Sequence, residues 1–196
     1  MSPDTPLAPW RSPLARALHR NRSQPHARYL QLATVRADGR PANRTVVFRG
    51  FWEGTNQLQI VTDARSAKAE QIDQSPHAEV CWYFPSTREQ FRLAGSLTLI
   101  RDTEPDAALQ HARQRSWQAL SDAARGQFAW AAPGQPREEG GFDPPPPDPL
   151  VPLSHFCLLL LDPVQVDHLE LRGDPQNRWL YAWDAIAGWS RSSVNP

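Results

Sequence analysis

The sequence predicts a mainly β protein with peripheral helices, built as a closed antiparallel barrel, and three observations carry that expectation. Short runs that alternate apolar and polar residues recur along the chain between turn signals, as half-buried strands require. Helical periodicity appears in only three places, too sparsely for the strand–helix alternation of a doubly wound sheet. Many short strands in an open sheet would leave exposed edges, and closure removes them. At 196 residues the chain suits one domain with a substantial core, and we read 1–196 as a single domain.

The elements follow in order. After a proline-rich lead, "SPLARALHRNRS" reads as a short helix with Ser12 as N-cap and Pro13 at its first position. "RYLQLATVRADGRPANRTVVFRGFW" alternates around Asp38-Gly39, a hairpin signal between strands near 28–36 and 42–51. "NQLQIVT" is a third strand. "SAKAEQIDQ" is a helix with Ser66 as N-cap, stopped by Pro76. "HAEVCWYFP" is a fourth strand and "REQFRLAGSLTLIR" a long fifth, in which Gly95 marks a bulge or bend. "DAALQHARQRSWQALSDAARGQF" repeats apolar positions at spacings of three and four, a helical stretch with one buried face. From Ala132 to Pro152 the chain is proline-rich and aperiodic, an extended surface excursion of polyproline character. "SHFCLLLLDPVQVDHLELRG" reads as two strands broken at Asp162-Pro163, "RWLYAWD" as the last strand, and "GWSRSSVNP" as a tail.

Lysine plus arginine and aspartate plus glutamate each number 21. No global field then draws the chain to nucleic acid or to an anionic membrane, and any anion it binds needs a local cluster. Lys68 is the only lysine. Cys81 and Cys157 lie inside apolar runs without ligand spacing and read as reduced core thiols. No apolar leader or membrane-length run appears, so the sequence predicts a cytoplasmic protein with no membrane partner.

Walker, GxGxxG, GxSxG, HExxH and CxxC signatures are missing. His111 and His155 stand alone and read as structural. Asp162, Asp167 and Asp174 are not paired in the manner of a metal site, and no metal is expected. What remains is cationic. In "NRTVVFRG" the strand period points Arg44 and Arg49 to opposite faces, about 16 Å apart at roughly 3.3 Å per residue. They cannot grip one small group. Lys68, in the first turn of its helix beside the Ser66 hydroxyl, suits a phosphate. From spacing alone, the three cations also fit solvated surface charge.

Taken together, "RTVVFRG", "VTDARSAKAEQI" and "CWYFPSTREQFRLAG" resemble, in order and spacing, the pyridoxamine 5'-phosphate oxidase family, the FMN-binding split barrels. The match runs from about Ala27 to Gly95. The C-terminal "VDHLELRGDPQNRWLY" to "SSVNP" resembles that family's closing hairpin, and "LRGDPQNR" with "WAAPG" looks like a pyridoxamine-oxidase-like branch of unassigned substrate.

The resemblance implies a split β-barrel that binds FMN between two protomers of a homodimer. Arg44 and Lys68 match the phosphate ligands, with Val61, Thr62 and Ser66 close by. The backbone of Thr45, Val46, Val47 and Phe48 lines the isoalloxazine edge. Gln90 matches the glutamine that hydrogen-bonds the flavin ring, Arg178 an arginine from the other subunit, and Gln135 a cross-subunit phosphate contact. Arg49 stands where the true oxidases have lysine, counts with the cofactor-binding residues as still able to hold a phosphate, and faces a small, anionic substrate beside the cofactor. Asp174-Pro175-Gln176 replaces their Arg-x-His pair, Ala67 replaces an arginine, and Leu169 or Leu171 stands for the aromatic near the flavin. An FMN-dependent oxidoreductase follows. A non-catalytic flavin-storing or sensing barrel, and a barrel using deazaflavin or haem, are the alternatives.

Overall fold

The computed structural model describes residues 7–137 and 139–196. Six residues of the proline-rich lead, and Glu138 in the excursion, lie outside the described residues. In chain order the strands are β1 (Tyr29–Val35), β2 (Pro41–Val47), β3 (Gly50–Phe51), β4 (Leu58–Asp63), β5 (His77–Phe84), β6 (Glu89–Ile100), β7 (Phe156–Glu170), β8 (Asn177–Asp184) and β9 (Gly188–Val194). The helices are α1 (Arg11–Asn21), α2 (Ala67–Gln74), α3 (Ala107–Gln118) and α4 (Asp122–Phe128). The strands pair antiparallel in the order β2-β1-β5-β6-β7-β4-β3, with β8 on β7 and β9 on β8. This is a mostly antiparallel barrel with peripheral helices, as the sequence predicts, and the α-helices among the described residues number four where three are expected.

Alternation does what it should where one face is wet. Val80, Trp82 and Phe84 of β5 and Phe91 and Leu93 of β6 are buried in the main core, while Tyr83 and Arg92 between them face out. "CLLLL" fails to alternate because β7 is covered on both faces. Leu159 and Leu161 join the main core, and Leu158 and Leu160 pack with Ile100 and Ala112 beneath α3.

Several boundaries differ from the expectation. The expected 42–51 strand is split. After Val47 the Phe48 N–H donates to the Arg28 carbonyl at 2.8 Å, and the Arg49 N–H donates to that of Gln59 at 2.9 Å. The chain thus leaves β1 and joins β4 across two residues, and Gly50 takes φ 136° at the corner. Asp162-Pro163 does not break β7. Gly95 faces Pro163 while Ala94 faces Gln165, so the extra residue of the bulge, Val164, lies on β7 and not on Gly95's strand. "GWSRSSV" is no tail: it is β9, paired only with β8.

Among the helices, α1 starts two residues earlier than expected. Trp10 is its N-cap and Ser12 lies inside, where its Oγ accepts from Arg16 at 3.0 Å. The long helical stretch is two helices. Ser121 caps α4 by accepting from the Ala124 N–H at 3.3 Å, and the Arg125 guanidinium takes up the carbonyls of Trp117, Gln118 and Leu120 freed at the break. The excursion is largely exposed but pinned: Trp117 Nε1 donates to the Asp148 carbonyl at 2.9 Å, and the Ala131 N–H to that of Gly141 at 3.0 Å. Cys157 is a buried free thiol as expected. Cys81 is free but only half-buried, because its strand position faces outward.

Candidate functional site

The last residues of β4, Val61, Thr62 and Asp63, enter the turn that starts α2. Ser66 has the extended backbone of an N-cap, but its hydroxyl makes no cap bond. Instead Ser66 Oγ donates to the Asp63 carbonyl at 2.7 Å and accepts from Lys68 Nζ at 3.1 Å. Lys68 Nζ also donates to Thr62 Oγ1 at 2.7 Å. The ammonium is therefore held beside the first turn of α2, at the positive end of the helix dipole.

Arg44 reaches the same region from β2. It sits opposite Leu32 on the inward face, and its guanidinium donates to the Leu32 carbonyl at 3.1 Å, Thr34 Oγ1 at 2.7 Å and Gln71 Oε1 at 3.0 Å. All three acceptors are neutral. Among the described residues no carboxylate forms an ion pair with Arg44 or Lys68. Burial pushes the Lys68 pKa below the ordinary lysine value, and the Arg44 charge pushes it further; Arg44 is itself lowered by burial and then by Arg36. Two neighbouring cations bonded only to neutral groups suit a doubly charged anion.

The Lys68 shift has a consequence for stability. Folding disfavours the protonated form, so the unfolded chain holds this proton more tightly. Stability then rises as pH climbs through the lowered folded pKa toward the ordinary lysine value. Ligand-free Lys68→Met protein is expected to resist urea better than wild type at neutral pH, with the gap closing as pH rises toward that value.

Val61, Thr62, Ser66, Lys68 and Gln135 line one cavity of about 520 Å³, whose far wall carries Trp130 and Phe142. The Trp130 and Phe142 rings meet edge to face, centroids 5.8 Å apart. Arg44 does not line it but acts on Lys68 through its charge. Arg49 opens instead onto a cavity of about 500 Å³ shared with Arg28 and Arg115, so the two arginines of "NRTVVFRG" serve different spaces. Of the residues between them, Val46 and Phe48 are core, with the Phe48 ring 4.8 Å from Trp82; Thr45 is exposed and Val47 half-buried.

Gln90 and Arg178 lie elsewhere. Register places Tyr83, Gln90, Leu169 and Arg178 side by side across β5, β6, β7 and β8, on the face opposite to Arg44. Arg178 grips Asp167 through Nε at 3.0 Å and Nη2 at 2.7 Å and lines a third cavity of about 310 Å³. Asp162 accepts from Gln57 at 3.0 Å. His155 is structural in the expected sense, its Nε2 lying 2.5 Å from the Phe128 carbonyl, and His111 is exposed.

Sequence reasoning missed two polar groups. Buried His168 pairs with Glu89 at 2.9 Å, with Glu170 at 3.9 Å, and stacks on Phe91 at 4.0 Å. These three could converge on a cation, but Arg16, Arg20 and Arg172 ring the same hollow, and their positive field opposes one. Arg65 is the second. Its guanidinium takes Asp63 with Nη2 at 2.7 Å and reaches the carbonyls of Phe128 and Trp130 at 3.1 and 3.2 Å. Burial alone would raise the Asp63 pKa, yet the bonds from Arg65 hold it below the usual carboxylate value.

Comparison with known proteins adds a family. The family model described as "Pyridoxamine 5'-phosphate oxidase, FMN-binding domain" matches residues 7–101. The chain is 39% identical to pyridoxine/pyridoxamine 5'-phosphate oxidase 2 of Arabidopsis thaliana, covering 98% of this chain and 99% of that one. Among solved structures, a pyridoxamine 5'-phosphate oxidase-related, FMN binding protein of Nostoc punctiforme superposes with TM-score 0.94 at 65% identity, covering 98% of this chain and all of that one. PhzG of Burkholderia lata, solved with tetrahydrophenazine-1-carboxylic acid, superposes with TM-score 0.77 at 18% identity over 98% of this chain and 95% of that one, a likeness of fold.

Proposed function

Because this chain belongs to the pyridoxamine 5'-phosphate oxidase family of FMN-binding flavoproteins, we propose that it is a homodimeric, FMN-dependent oxidoreductase acting on a small anionic molecule. The observation that carries this reading is the Lys68–Thr62–Ser66 cluster beside Arg44, where two cations bonded only to neutral groups fit the phosphate of FMN. FMN supplies a hydride acceptor at N5; the chain supplies binding, orientation and ring electrostatics.

In this reading Lys68 holds the phosphate by charge-assisted hydrogen bonds and Arg44, behind the cavity lining, adds its charge beside Lys68, with Val61, Thr62 and Ser66 shaping the seat and Gln135 approaching from the far wall. The Thr45–Phe48 backbone lines the ring edge and Gln90 hydrogen-bonds the ring. Arg178 reaches the flavin of a second copy. Support for that copy comes from the separation of the two groups: Gln90 and Arg178 sit on the sheet face opposite to Arg44, so one chain does not close around a flavin.

Arg49 faces the substrate together with Arg28, in a cavity where Glu53 pairs with Arg115 at 3.5 Å, and the two remaining guanidinium groups favour a phosphorylated or carboxylate molecule. Asp174 and Gln176 lack the charge and proton-handling group of the Arg-x-His pair, which argues against pyridoxamine 5'-phosphate itself. Arg49→Ala is expected to leave the FMN dissociation constant within about twofold while raising the substrate KM about tenfold or more, the loss of one charged partner. Equal loss of FMN in Arg44→Ala and Arg49→Ala would contradict this division. Stopped-flow mixing of the FMN-loaded protein with NAD(P)H, pyridoxamine 5'-phosphate and a panel of anionic metabolites tests turnover: substrate-dependent bleaching is expected, and its absence throughout would favour a storage role.

A further inference from the structure

Two separate parts of the chain form the 520 Å³ cavity: the β4–α2 corner on one side and the segment after α4, with Trp130 and Phe142, on the other. Polar side chains tie them at few points. Arg65 Nη2 has two hydrogens yet serves three acceptors, Asp63 Oδ2 and the carbonyls of Phe128 and Trp130, so one hydrogen is shared. Nε completes a two-pronged hold on Asp63 at 3.0 Å, and the Arg65 N–H donates to the same carboxylate at 2.7 Å. The guanidinium is fixed in plane by Asp63 and spends its outer edge on main-chain carbonyls across the gap. Both carbonyls belong to the stretch where α4 ends and the far wall begins; His155 Nε2 shares the one of Phe128.

We propose that Arg65 is a positioning residue for the cofactor pocket. Oriented by Asp63, it clamps the Phe128–Trp130 backbone to the β4–α2 corner and so sets the distance between Lys68 and the wall that carries Gln135 and Trp130. Its Nε and Nη2 are engaged by Asp63 and the two carbonyls, so the clamp uses one side of the guanidinium, while Nη1 makes no bond among the described residues. The clamp rests on the reading that this cavity holds the FMN phosphate for its effect on the cofactor, but its effect on the wall does not.

The test uses the full-length protein with Arg65→Ala, Arg65→Lys and Lys68→Ala variants. Two quantities are read: the rate of FMN release from the loaded protein, and the rate of tryptic cleavage after Arg137 in the FMN-free protein, followed by mass spectrometry. With the clamp removed, Arg65→Ala should release FMN about tenfold faster, since the lost order of the wall appears in the off-rate. Cleavage should also quicken about fivefold or more, because local opening controls proteolysis. Arg65→Lys keeps the charge and the fold but has no planar fork to span a carboxylate and two carbonyls, so it should behave like Arg65→Ala. Full rescue of both rates by lysine would overturn the proposal and make Arg65 a simple charge. Unchanged cleavage in both Arg65 variants would overturn it as well. Faster cleavage in Arg65→Ala together with undiminished FMN binding by Lys68→Ala would uphold the clamp and remove the cofactor reading.

Discussion

Lys68→Ala protein is expected to fold and to lose most of its hold on FMN. Among the described residues no carboxylate forms an ion pair with the Lys68 ammonium, which is bonded to the hydroxyls of Thr62 and Ser66, and burial works against its charge. The phosphate is the partner that would repay that desolvation. Truncating one member of a buried, hydrogen-bonded charge pair costs roughly 2–5 kcal/mol, and each step of about 1.4 kcal/mol is tenfold in affinity. The FMN dissociation constant should therefore rise by about thirtyfold at least, measured by quenching of flavin fluorescence. Arg44→Ala should follow in the same direction with a loss of stability as well, because its removal also strips Thr34 and Gln71 of a donor.

Gly95→Ala should be the most damaging single-methyl change in the barrel. A Cβ at position 95 would stand 2.0 Å from the Asp162 carbonyl oxygen and 2.8 Å from the Asp162 carbonyl carbon and Pro163 Cα. All three are backbone atoms of β7, at the point where the bulge at Val164 shifts the register between β6 and β7. No side chain can swing aside, so the two central strands must part. Overpacking in a core usually costs about 1–3 kcal/mol, and a backbone collision at this distance belongs at or above the top of that range. Urea unfolding of the variant, beside Ser96→Ala one residue on, should show a large drop in midpoint for the first and little change for the second. Equal midpoints would contradict the packing described for the β6–β7 crossing.

The sheet was legible where its faces differ. "HAEVCWYF" alternates because Val80, Trp82 and Phe84 enter the core while its other residues meet solvent or half-buried surroundings. "CLLLL" carries no such signal, since β7 is packed on both faces, and Asp162-Pro163 looked like a break because proline cannot donate to a ladder. The bulge resolves the conflict by placing Pro163 where the register already slips. β9 was hidden for the opposite reason: "SRSSV" is polar on both faces and pairs only with β8, so no apolar period marks it.

The site divides in the same way. Ser66 and Lys68 are two residues apart, and their closeness could be read from helix geometry. Arg44 joins them only because β2 and α2 both pack on β1, through Thr34 and Gln71, a meeting of distant segments that spacing cannot reveal. Arg65 is one arginine among many in the sequence. Its role depends on carbonyls of residues 128 and 130, and backbone acceptors have no sequence signature.

In the proposed function the Lys68 and Arg44 pair secures the FMN phosphate. FMN and riboflavin differ by that phosphate alone, and their affinities for wild type and for Lys68→Ala isolate its contribution. Wild type should prefer FMN by about a hundredfold or more, the worth of charge-assisted bonds to a dianion, and the preference should collapse in Lys68→Ala while riboflavin affinity stays near its wild-type value. Riboflavin binding to wild type as tightly as FMN, or a preference for FMN untouched by Lys68→Ala, would contradict the account.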